Sequence, residues 1–124
     1  MHMWWRSTRF RKEGCCIMTK PLFYTKHQLR RMAKRGMSKP IIEAVVQNGV
    51  WEKGNQPFSH LLEYKGIIVV LYEQRTQFNV SSCKLDRRHT ILAEQIAKES
   101  NIDFWKAYHQ VVRSIDLKVE IANI

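Results

Sequence analysis

His27, Arg31 and Arg35 recur every four residues, a spacing that stacks side chains along one strip of a helix. A guanidinium forks onto two phosphate oxygens and stays charged, whereas an imidazole titrates near ambient pH and moves protons. Together these two types suit metal-independent RNA cleavage. In that reaction the 2′-hydroxyl attacks the adjacent phosphorus, and the protein aligns the attack, stabilises a dianionic phosphorane and transfers protons. His60 and Tyr64, at even spacing on a candidate strand, and Lys84, after the Ser81-Ser82-Cys83 run, complete the candidate catalytic set. Lys26, Arg30, Lys34, Lys39 and Arg75 are the candidate nucleic-acid-binding cations. The sequence offers no close carboxylate pair of the two-metal nuclease kind, and neither a metal nor a cofactor is expected. Plainer roles also fit. His27 can hydrogen-bond the sheet or a chain end, Arg31 and Arg35 can pair with Glu43, Glu52 or Glu63, and His60 and Tyr64 can simply pack.

The charge around these residues is local. The formal net charge is +10, yet residues 1–49 hold eleven lysines and arginines against two acids, Glu13 and Glu43. The remaining residues hold ten against nine. A localised cationic surface attracts phosphate polyanions with salt-sensitive affinity, and RNA, with or without a ribosome, is the expected partner. An acidic protein fits the same charge; an anionic membrane or solubility alone are blander readings. The longest apolar run, Ile67 to Tyr72, is strand-sized, so no membrane helix is expected. Cys15, Cys16 and Cys83 are odd in number and lack CxxC spacing, which suits neither a disulfide framework nor a zinc site. Residues 1–18 carry Trp4, Trp5 and alternating basic residues without a signal-peptide core. They read as an arm, disordered or foreign to the native chain, before a single domain over 19–124 in a cytoplasmic protein.

The elements that must position the candidates follow from periodicity. Thr25 suits an N-cap and Gly36 a left-handed helix end. Between them Leu29, Met32 and Ala33 share a face expected to turn inward, leaving the cations and His27 outward. Ser38 caps a second helix, with Pro40 in its first turn, an apolar stripe of Ile41, Ile42, Val45 and Val46, and an Asn48-Gly49 stop. A turn-rich stretch from Val50 to Phe58 leads to strands over 60–64, 67–73 and 78–84, the first two joined at Lys65-Gly66. Asp86 opens a third helix with Ile91, Leu92 and Ile96 inward. Asn101 caps a fourth that carries Phe104, Trp105, Tyr108, Val111 and Val112. The alternation Leu117, Val119, Ile121 suits a last edge strand. The expected class is α+β, with two N-terminal helices packed on a small antiparallel sheet and two additional C-terminal helices.

The run Lys26-His27-Gln28-Leu29-Arg30-Arg31-Met32-Ala33-Lys34-Arg35-Gly36-Met37-Ser38, followed by Asn48-Gly49, resembles the K-H-A-x-x-R-M-x-x-R-G-I-S signature of a bacterial domain family of unknown function. That family is grouped with RelE-like and BrnT-like toxins. The resemblance covers about half of the chain, residues 24–85, and departs at Gln28 and in the helical extension over 86–124. It implies a RelE-like fold, a toxin-like and RNA-directed role as an endoribonuclease, and an acidic antitoxin as partner. A non-catalytic nucleic-acid-binding or protein-interaction module of the same fold is the alternative.

Overall fold

The computed structural model describes residues 20–117. Its elements run β1 (Leu22–Phe23), α1 (Lys26–Lys34), α2 (Lys39–Asn48), β2 (Val50–Lys53), β3 (Ser59–Tyr64), β4 (Ile67–Glu73), β5 (Phe78–Leu85), α3 (Arg87–Ser100) and α4 (Phe104–Ser114). The strands form one sheet ordered β1-β5-β4-β3-β2. Pairings are antiparallel except that of β1 with β5, which is parallel. The chain is α+β, but the expected RelE-like arrangement of two N-terminal helices on a small antiparallel sheet is overturned. A strand precedes the helices, and the sheet is five-stranded and mixed. Both extra strands lack a periodic signature: β1 is two residues long, and β2 leaves three of its four side chains exposed.

One face of the sheet builds the core. Leu62 on β3, Ile67, Val69 and Leu71 on β4, and Phe78, Val80, Cys83 and Leu85 on β5 are buried against Ile42, Val45 and Val46 of α2 and Tyr108, Val111 and Val112 of α4. Strict alternation would send Val80 and Cys83 to opposite faces. A register shift between Val70 and Leu71 leaves Ser81 as an extra residue, so both point inward. The opposite face, with Leu61, Ile68, Val70 and Tyr72, is partly exposed.

Local signals hold the ends. Thr25 accepts from the Gln28 amide at 3.0 Å, and Gly36 has φ +75° where His109 packs so closely that a Cβ would meet its ring at 2.9 Å. Lys65 and Gly66 both take positive φ in the β3–β4 turn, as a two-residue hairpin requires. Asn101 corrects the expected capping. It ends α3 in the left-handed conformation at φ 54°, and Asp103 caps α4 by accepting from the Trp105 amide. Residues 1–19 and 118–124, including the arm and the Val119 and Ile121 part of the expected last strand, lie outside the described residues. Among the described residues no helix is long and apolar enough to cross a membrane.

Candidate nucleic-acid interface

The first helix is rolled relative to the sequence expectation. Gln28 and Met32 are its buried residues, while Leu29 is 37% exposed and Ala33 is also exposed. At 100° per residue the buried centre moves roughly 70°, toward the cationic side. The cause is a polar floor on β5. The Gln28 amide nitrogen donates to Cys83 Sγ at 3.5 Å, and the Arg35 guanidinium donates to the Cys83 carbonyl at 2.5 Å. A helix seated on Leu29 and Ala33 would forgo both bonds. Arg31 and Arg35 are consequently half-buried at the flank of the seat, while Lys26, His27, Arg30 and Lys34 remain exposed.

Burial raises the Cys83 thiol above its usual value, and the nearby Arg35 and Arg31 only partly offset it. The thiol is therefore a neutral packing group. Tyr108, also raised chiefly by burial, accepts from the Leu85 amide at 2.7 Å and fixes α4 beside the end of β5. Tyr24 is pushed up to about 12 by burial first and then by Glu43 and Cys83.

The exposed strip stands largely clear of the C-terminal helices. α4 touches only its end, where the Lys34 ammonium lies 5.0 Å from the Trp105 ring centroid and His109 Nε2 meets the Lys34 carbonyl at 2.7 Å. Among the described residues the side-chain contacts of acids with basic groups are Lys20–Glu73, an ion pair, and the ring nitrogens of His60 and His89 against Glu73 and Asp86. None involves α1, and Glu43, Glu52 and Glu63 do not take up Arg31 or Arg35. No acid stands in the first turn, where Lys26 and His27 face the positive end of the helix dipole. Three like-charged pairs at i,i+4 (26/30, 30/34 and 31/35) oppose the helix by on the order of 1 kcal/mol in total. Among the described residues no carboxylate pairs with this helix to relieve that electrostatic strain.

The structure scatters the remaining candidates. His60 is 6% exposed on the core face of β3, tilted against Trp51 and edge-on to Phe78, and bonded through Nε2 to Glu73 at 3.2 Å. Its pKa is lowered because desolvation outweighs the Glu73 carboxylate. Tyr64 shares that face four residues on, beneath the Lys65 ammonium. Lys84 follows Cys83 on β5 and so points to the opposite face of the sheet, away from α1. Lys39 opens α2 with its ammonium 5.1 Å from the Tyr24 ring centroid, close to the start of α1. Arg75 lies in the β4–β5 turn, where Lys20 bonds the Gln74 carbonyl. Glu73, Gln28 and Lys20 are the partners that sequence reading missed. Gln28 alone carried a signal, as a polar residue where the resembled signature has a small one.

No protein-family model, curated protein or solved structure matches the chain.

Proposed function

We propose that this chain is a cytoplasmic RNA-binding module that grips the phosphate backbone along α1. The observation that carries the reading is the strip Lys26, His27, Arg30 and Lys34, exposed and without an ion-pair partner among the described residues. Lys26, Arg30 and Lys34 succeed one another about 6 Å apart along the helix axis, and Lys39 and the half-buried Arg31 add to the field. Binding is favoured over cleavage because the proton-transfer candidates do not converge. His60 is buried beside Glu73, and Lys84 lies across the sheet from α1. The resemblance in residues 26–38 supports RNA as the polyanion, and a toxin paired with an acidic antitoxin remains the rival reading.

Fluorescence anisotropy with single-stranded RNA across a salt series tests the proposal. Four phosphate contacts, from Lys26, Arg30, Lys34 and Lys39, predict a slope of log K against log[salt] of about −2.8, or a loss of about fifty-fold between 50 and 200 mM salt. A slope near zero would remove the phosphate-gripping surface. Growth arrest on induced expression, with new 2′,3′-cyclic phosphate ends in cellular RNA, would instead establish the rival.

A further inference from the structure

α3 carries a second surface that the RNA reading does not use. The sequence pattern expects Ile91 and Leu92 inward, but each is 42% exposed, and Ala93 is the buried residue of this helix. Together with Arg88, His89 and Gln95 they line a shallow groove of about 370 Å3. Arg88, Leu92, Gln95 and Glu99 are spaced four, three and four residues apart. At 100° per residue all four fall within an arc of about 60°, the seam spacing of a two-stranded coiled coil. Ile91 widens the apolar part of that seam on one side.

The charges on this seam complement their own reverse. Arg88 stands one turn before Leu92 and Glu99 one turn after Gln95. Among the described residues neither has an ion-pair partner. A twofold axis midway between Leu92 and Gln95 lies equally far from 88 and 99, so an antiparallel second copy would place its Glu99 against Arg88 and its Arg88 against Glu99. The same axis sets Leu92 of each copy beside Gln95 of the other and covers both exposed apolar residues. Parallel pairing would oppose like charges.

We infer that α3 is a self-association surface, through which two copies of this chain form an antiparallel, twofold-symmetric dimer with reciprocal Arg88–Glu99 pairs. An isologous contact of this kind is the commonest form of homo-oligomer. The dimer would carry two copies of the α1 strip.

Sedimentation equilibrium of the full chain at about 0.15 M salt, where the screening length is about 8 Å and repulsion between copies of net charge +10 is damped, tests the inference. Over tens to hundreds of micromolar the mass should rise from 14.8 kDa toward twice that value. Leu92→Glu and Arg88→Glu should each hold the protein monomeric with an unchanged circular dichroism spectrum. Both residues are exposed, and Arg88→Glu tests the charge pairing without touching the apolar seam. The double reversal Arg88→Glu with Glu99→Arg should restore the dimer. A wild type that stays monomeric, a dimer indifferent to both single variants, or a double reversal that fails to restore association would each overturn the inference.

Discussion

Arg35→Ala separates what holds α1 in place from what α1 offers to solution. The Arg35 guanidinium donates to the Cys83 carbonyl at 2.5 Å in a half-buried setting. Hydrogen bonds to charged groups contribute about 1.5–3 kcal/mol. Partial exposure discounts that contribution to about 1–2 kcal/mol, including the packing of the arginine stem. For a chain of this size such a loss lowers the melting temperature by about 4–8 °C. Arg30→Ala, one turn from the Lys26 and Lys34 positions and exposed, should change stability by no more than about 0.5 kcal/mol. It should instead reduce the RNA salt slope by about 0.7. Thermal unfolding followed by circular dichroism, beside RNA anisotropy on the same samples, reads both effects. The reasoning is refuted if Arg35→Ala melts like the wild type, because the polar floor at Cys83 would then not seat the helix.

Other expectations follow from the same geometry. Leu71→Ala, at a fully buried position on the central strand, should cost about 2–5 kcal/mol in urea unfolding. Lys84→Ala, on the opposite face of the sheet, should leave both the RNA affinity and its salt slope unchanged. His60 has a folded-state pKa below its ordinary value of 6.5, so the unfolded chain takes up a proton that the folded chain resists. Its contribution is therefore present above about pH 6.5 and is lost as pH falls through the depressed value. Replacing it in His60→Gln should flatten that part of the stability profile measured by denaturant titration.

Much of this architecture is legible where local chemistry decides it. The Thr25 cap, the left-handed Gly36, the Lys65-Gly66 turn and the apolar run 67–71 of β4 each depend on a few neighbouring residues, and each falls where the sequence places it. What the sequence conceals depends on tertiary partners. The roll of α1 is set by the Cys83 carbonyl and thiol, more than forty residues away, and hydrophobic periodicity gives Leu29 and Gln28 the opposite ranking. The same limit applies to α3, where Ala93 is buried and the larger Ile91 and Leu92 are left out. The cationic strip was visible as composition and spacing, yet its lack of carboxylate partners among the described residues was not. Lys84 is turned away from α1 because strand alternation across a bulge decides which face its side chain takes, and that bulge has no marker beyond the Ser81-Ser82 pair.

In the proposed function, α1 presents its exposed cations to RNA. Amide and side-chain chemical-shift mapping of the isotopically labelled chain with a short single-stranded RNA locates the contact directly. Shifts concentrated at Lys26, His27, Arg30 and Lys34, fading as salt is raised, are the predicted result. Shifts confined to Lys84, Arg75 or the exposed face of the sheet, with α1 silent, would contradict it.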